Sequence, residues 1–256
     1  MKSLPHQQTI NIGNTKLEFT RSGTGSPTIV LINGSGGPIE GWYRVFTELE
    51  TLGTVFAYNR PGIGKSSKPT SPQTGEVMVE TLRALLHAAE LPPPYLLVAH
   101  SLGGLVANLF ARHYPSDVMG MVLLDATAPA DIDVMAACES PLQRFLKSTL
   151  DLVLGKDTHG ETTHVRRTVE LIDQAPSFPD LPLLVVTGGK PAMSWLTPKQ
   201  ALEARAEHQR QLASISPRGK QVVAAKSGHF PQLSEPEVVV QAVRDAIELA
   251  SIGRNS

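Results

Sequence analysis

The sequence predicts an α/β protein, a mostly parallel sheet of about eight strands with helices on both faces. Three observations carry that prediction. Short apolar runs rich in branched side chains recur at 28–32, 54–58, 95–99, 118–124 and 183–187, as expected of strands buried on both faces. Stretches with helical periodicity alternate with these runs. Gly, Pro and Asn cluster at most of the junctions, where the backbone must turn. At 256 residues, 41% hydrophobic and 18% charged, the chain fits one sizeable α/β domain.

In chain order, residues 9–13 and 16–20 alternate apolar and polar side chains around Asn14, which predicts an edge hairpin. The buried strand 28–32 follows and ends in the loop Asn33-Gly34-Ser35-Gly36-Gly37-Pro38. Trp42, Val45, Phe46 and Leu49 are spaced as a short amphipathic helix, and the strand 54–58 comes after it. Val77, Leu82, Leu85 and Leu86 mark a helix closed by Leu91-Pro92-Pro93-Pro94. A strand from Tyr95 leads into a helix that stops near Tyr114-Pro115, and the strand 118–124 ends at Asp125.

Between 128 and 181 the rhythm breaks. Helical segments near 142–154 and 163–172, separated by a polar turn at 155–161, read as a small helical lid inserted into a core formed by 1–127 and 182–256. The rhythm resumes with a strand at 183–187, a helix over about 198–215, a strand at 221–225, and a last helix from Glu235 to about Ile252.

The formal net charge of -1 is spread without long runs of one sign, so the sequence shows no footprint for nucleic acid or an anionic membrane. A small-molecule substrate suits this balance. Cys138 is the single cysteine, which excludes an internal disulfide and suits a reducing compartment. The N-terminal residues lack the apolar core of a signal peptide, and no apolar run approaches the ~18 residues of a membrane span. The expectation is a cytoplasmic protein without a membrane span; oligomeric state leaves no trace in the sequence.

The most informative stretch is Leu96-Leu97-Val98-Ala99-His100-Ser101-Leu102-Gly103-Gly104. It reads as strand, sharp turn and helix, with Ser101 on the turn and small residues, Ala99 and Gly103, two positions to either side. Such a turn holds a serine hydroxyl away from the sheet and closes only when those neighbours are small. A serine needs a base within reach to act as a nucleophile at neutral pH. His229, in Ser227-Gly228-His229 after the last strand, is the candidate. His100 reads as structural, because adjacent residues on a tight turn point different ways. His6, His87, His113 and His208 read as surface or helix-face residues.

These features resemble the α/β-hydrolase family: the G-x-S-x-G nucleophile elbow with alanine first, the segment Asn59-Arg60-Pro61-Gly62-Ile63-Gly64-Lys65-Ser66, and the Ser-Gly-His ending. The resemblance implies a cofactor-independent serine hydrolase in which Ser101 is the nucleophile and His229 its base. The oxyanion is then held by the backbone amides of Leu102 and Ser35, with Asn33 standing where the family carries histidine. It favours a carboxylic ester hydrolase. Lactonase, carbon-carbon hydrolase, aminopeptidase, perhydrolase and hydroxynitrile lyase chemistry share the same machinery, and a weakly active ligand-binding protein is the reading from another class.

The acid departs from the family pattern. The usual position after the penultimate strand reads Gly188-Gly189-Lys190-Pro191, with no carboxylate until Glu203. Asp125, which ends the preceding strand, is the replacement, because a minority of the family draws its acid from there. Its other reading is a strand-end cap. Asp131, Asp133 or a Ser-His pair without an acid are the remaining options. Gly64-Lys65-Ser66 lacks the earlier glycine of a phosphate loop and is followed by Pro69 and Pro72, so nucleotide binding is not expected. No metal site is expected either: Asp157, His159, Glu161 and His164 read as a solvated polar loop. Met193, Trp195 and Phe230 fall near the expected pocket.

Overall fold

A computed structural model describes residues 4–138, 159–190 and 199–252. Eight strands among them form one sheet: β1 (Gln8–Ile12), β2 (Thr15–Ser22), β3 (Thr28–Ile32), β4 (Thr54–Asn59), β5 (Tyr95–His100), β6 (Val118–Leu124), β7 (Leu183–Gly188) and β8 (Gly219–Ala224). Their spatial order is β1-β2-β4-β3-β5-β6-β7-β8. The β1–β2 and β2–β4 pairs are antiparallel and every other pair is parallel.

The helices are α1 (Phe46–Leu49), α2 (Gly75–Ala88), α3 (Gly103–His113), α4 (Asp131–Cys138), α5 (Val165–Gln174), α6 (Lys199–Ala213), α7 (Pro231–Ser234) and α8 (Pro236–Ile252). Because successive strand residues point to opposite faces, one strand feeds two cores. In β5, Leu97 and Ala99 join Leu82, Leu105, Val106 and Phe110 on one side. Leu96 and Val98 join Trp42, Phe46, Val239 and Val243 on the other. Both faces are covered, which is why the central strands read as unbroken apolar runs.

The predicted helix around 42–49 is instead a 3-10 turn, Ile39–Trp42, followed by the single turn of α1. Trp42, Val45, Phe46 and Leu49 are all buried, so their spacing marked burial rather than a continuous helix. Helix α4 was not expected. The helix expected at 163–172 lies at Val165–Gln174, while the one expected at 142–154 lies outside the described residues, as do Asp157, Met193 and Trp195. Among the described residues no helix is long and apolar enough to cross a membrane.

The strand order reverses where β3 lies between β4 and β5. In open parallel sheets the crevice beyond the carboxyl ends of the strands at such a reversal is the binding position. The loop after β3 carries Gly34 and Ser35, and the turn after β5 carries Ser101.

Candidate active site

Ser101 follows β5 directly and has φ +51°. A non-glycine residue in this left-handed region costs about 1–2 kcal/mol, so the surroundings must hold it there. Its amide donates to the Leu124 carbonyl over 3.2 Å, and its carbonyl accepts from the amides of Gly104 and Thr127. A Cβ at Gly103 would come within 2.5 Å of the Asn33 carbonyl oxygen, which explains why the position two after the serine carries none.

His229 sits between β8 and α7. Its Nε2 lies 3.1 Å from Ser101 Oγ, and its Nδ1 lies 2.6 Å from Asp125 Oδ2. Asp125 leaves β6 with φ +40°, a conformation that aspartate tolerates better than most residues. The structure thus brings Ser101, His229 and Asp125 into one hydrogen-bonded line from the ends of three strands. The other carboxylates considered for the acid are engaged elsewhere. Asp131 accepts from His208, Arg205 and the Ala128 amide, and Asp133 is exposed and paired with Arg166.

Asp125 is 6% exposed. Burial opposes its ionisation, yet the hydrogen bonds from His229 and Arg205 and the Arg205 charge outweigh it and hold the carboxyl below its ordinary range. The Gly188 amide donates to its second oxygen over 3.2 Å. Gly188, in the segment where the resemblance led us to expect the acid, therefore contributes a backbone donor to Asp125.

Leu102 is the N-cap of α3, and the first amides of a helix have no intrahelical acceptor. In the loop after β3 the Gly36 amide donates to Glu161 Oε1 over 2.7 Å and the Gly37 amide to the Gly34 carbonyl over 3.1 Å. The Ser35 amide has no acceptor among the described residues. Gly34 packs against Ser101, since a Cβ there would lie 2.9 Å from the serine Cβ. The arrangement leaves the Leu102 and Ser35 amides to be weighed as donors to an oxygen held beside Ser101 Oγ.

Arg60 clamps this loop from beneath. It donates to the carbonyls of Asn33 (2.7 Å) and Gly34 (2.5 Å) and pairs with Glu161, Nε to Oε2 at 2.5 Å. Burial opposes the Glu161 charge, but Arg60, the Gly36 amide and the Ser35 hydroxyl more than offset it, so its carboxyl titrates below the ordinary range. Asn59 receives the Ile39 amide and donates to Glu18 Oε2 over 2.9 Å. An aspartate there would oppose two carboxylates, which accounts for asparagine at this position. Ser66 accepts from the Glu18 amide and donates to the Asn59 carbonyl, so the Asn59–Ser66 segment is spent on structure.

His208, expected as a surface or helix-face residue, lies on α6, is partly exposed and bonds Asp131. Phe230 is 49% exposed and packs its ring 5.0 Å from both His100 and His229. Arg205 and the clamp formed by Arg60 and Glu161 had no local signature in the sequence. Among the described residues no group of three or more His, Cys, Asp or Glu side chains is arranged to hold a metal ion.

Comparison with known proteins agrees with this architecture. A family model described as alpha/beta hydrolase family matches residues 29–242. Protein YqjL of Bacillus subtilis is 31% identical over 226 residues, covering 88% of this chain and 85% of that protein. A pimeloyl-[acyl-carrier protein] methyl ester esterase of Edwardsiella ictaluri is 29% identical over 243 residues, covering 84% of this chain and 91% of the esterase. Among solved structures, the enol-lactonase from Burkholderia xenovorans superposes with a TM-score of 0.67 at 19% identity, over 94% of this chain and all (100%) of the lactonase.

Proposed function

The chain belongs to the alpha/beta hydrolase family, and from that premise we propose that it is a serine hydrolase cleaving small to medium carboxylic esters through an acyl-enzyme intermediate. The observation that carries the proposal is the line Asp125 Oδ2–His229 Nδ1 (2.6 Å) and His229 Nε2–Ser101 Oγ (3.1 Å). The similarity to a methyl ester esterase over most of both chains favours an ester over the other substrates of this machinery.

Ser101 Oγ attacks the ester carbonyl while His229 Nε2 takes the hydroxyl proton, and Asp125 keeps Nδ1 protonated and offsets the imidazolium charge. The Leu102 and Ser35 amides hold the oxyanion. On collapse the bond to the alkoxide breaks, and the proton on His229 leaves with the alcohol. Water then adds to the acyl carbon as His229 takes its proton; the Ser101 ester bond breaks and the proton returns to Oγ, releasing the acid. No step needs a cofactor, and no nucleic acid is involved; a small-molecule ester is the partner.

The test is hydrolysis of a panel of p-nitrophenyl esters of rising acyl length, methyl esters and γ-lactones by the wild type and Ser101→Ala. Turnover of one ester class that disappears in Ser101→Ala is the expected result. Turnover undiminished in that variant, or none in the wild type across the panel, overturns the reading; a preference for the lactones moves it to lactonase.

A further inference from the structure

The carboxylate that meets His229 is shared. Asp125 Oδ2 lies 2.6 Å from His229 Nδ1 and 2.8 Å from a terminal guanidinium nitrogen of Arg205, which also donates to the Asp125 carbonyl over 3.1 Å. The other terminal nitrogen of Arg205 reaches Asp131 Oδ2 at 3.3 Å. Asp131 is itself bonded by His208 Nδ1 and by the Ala128 amide, both at 2.8 Å. Gln209 donates to the Ala126 carbonyl over 2.7 Å. Arg205, His208 and Gln209 follow one another at i, i+3 and i+4, so a single stripe of α6 grips the chain as it leaves β6.

We infer that Arg205 is a positioning residue for the Ser101–His229–Asp125 line, fixing the Asp125 carboxylate and sharing its charge with His229. The inference rests on the serine-hydrolase reading.

Two physical arguments support it. Asp125 exits its strand in a left-handed conformation, and the sheet gives its side chain one hydrogen bond, from the Gly188 amide at the end of β7. Its Oδ1 contact with the Gly188 amide is long, at 3.2 Å, so Arg205 supplies the shorter second hold. The second argument concerns charge. A carboxylate facing only an imidazole would strongly favour the imidazolium, which cannot accept the serine proton. A guanidinium on the same oxygen offsets part of the carboxylate charge and reduces that preference. Among the described residues, the other charged or titratable groups tied to this cluster are Asp131 at the start of α4, His208 on α6, and His100 at the end of β5. His100 is 4% exposed, and burial first, then the neighbouring His229, push it down to about 4, so it is neutral across the range of the assay.

Removing the Arg205 charge should therefore favour the imidazolium, and removing the Asp131 charge should do the reverse. The experiment is the pH dependence of kcat/KM for p-nitrophenyl acetate, with thermal melts of each variant alongside. In Arg205→Gln the acid limb should rise by about 0.5–1 pH unit, an effect reduced by the partial exposure of Arg205, and the plateau kcat should fall about 10-fold as Asp125 loosens. Arg205→Lys should return the limb to its wild-type position with only part of the plateau regained. In Asp131→Asn the limb should move down.

Loss of plateau activity in proportion to lost folded protein, with every limb unmoved, overturns the inference and leaves Arg205 a structural clamp. Should Arg205→Gln not fold, the downward limb shift expected of Asp131→Asn still decides the matter: a shift supports the inference and an unmoved limb overturns it. If Ser101→Ala retains full turnover, the serine-hydrolase reading itself has failed; if Ser101→Ala is inactive and the limbs do not move, only the role of Arg205 has.

Discussion

His100 donates its Nε2 hydrogen to the backbone carbonyl of His229 across 2.7 Å. A carbonyl can only accept, so Nε2 carries the proton, and the ring is held neutral with Nδ1 turned toward Gly34. The residue before the elbow serine thereby ties down the chain that carries the imidazole facing that serine. Burial, and secondarily the His229 charge, lower the His100 titration to about 4, whereas an unfolded histidine titrates near 6.5. Between those values the unfolded chain binds more protons, so stability falls as pH drops through this window and is unaffected by His100 above it. The expected loss from this residue is about 2 kcal/mol between pH 7 and pH 5. Urea unfolding at both pH values should show that much less difference in His100→Asn than in the wild type; equal pH dependence in the two would refute the assignment.

Glu161 joins a distant part of the chain to the loop after β3. It pairs with Arg60, whose side chain is 4% exposed, and accepts the Gly36 amide. Truncating it leaves a buried guanidinium short of its counter-charge, a change that costs about 3 kcal/mol or more. Glu161→Ala should lower the unfolding free energy from urea titration by that amount and reduce kcat about 10-fold, because the loop carrying Ser35 loses an anchor. Glu161→Gln, which retains an acceptor for Gly36, should lose less of both. Unchanged stability and turnover in Glu161→Ala would sink the argument.

The parts of the molecule legible in the sequence are those whose physics is local. Strands β3, β5, β6 and β7 are buried on both faces, so each appears as a continuous apolar run. The turn at Ser101 announces itself because its geometry demands small neighbours, and His229 and Asp125 stand out as polar residues just beyond strand ends. Arg205 and Glu161 do not. A lone arginine on a helix or a lone glutamate in a polar loop looks solvated, and its partner stands 80 residues away for Arg205 and 101 away for Glu161. Helix α4 was missed although it opens with Asp131 and Asp133, carboxylates that are favourable in a first helical turn; in the sequence they were weighed only as candidate acids. At 39–49 the apolar spacing correctly identified buried side chains but could not say that the backbone changes helix type between them.

Gly34 offers a test of how closely the loop and the elbow are fitted. A Cβ there would come within 2.9 Å of both Ser101 Cβ and His100 Nδ1. Neither neighbour can yield freely: Ser101 sits in a strained backbone, and His100 is held by its bond to His229. Gly34→Ala should therefore displace the serine relative to His229 and the proposed oxyanion donors, lowering kcat about 100-fold with an overpacking cost of about 1–3 kcal/mol. Substrate affinity should change far less. A kcat close to wild type in folded Gly34→Ala would show that the elbow tolerates displacement.

The sharpest prediction concerns Asp125 as the proposed acid. Asp125→Asn keeps the shape but replaces an acceptor with a group able to donate to His229 Nδ1, which favours the wrong imidazole tautomer. We expect kcat to fall by about 10²–10⁴-fold with KM little changed, and a turnover within a few-fold of wild type would return Asp125 to a strand-end cap. Returning the acid to the family's usual position should not repair the loss. A Cβ at Gly188 would meet the Gly228 carbonyl oxygen at 2.2 Å, and one at Gly189 would meet Ala225 Cα at 2.8 Å, so backbone already fills the space a carboxylate would need. The double variant Asp125→Asn/Gly188→Asp should melt well below Asp125→Asn and recover no activity. Recovery instead would mean that the strand-end backbone can part to admit a side chain, and that the empty acid position after β7 is not enforced by packing.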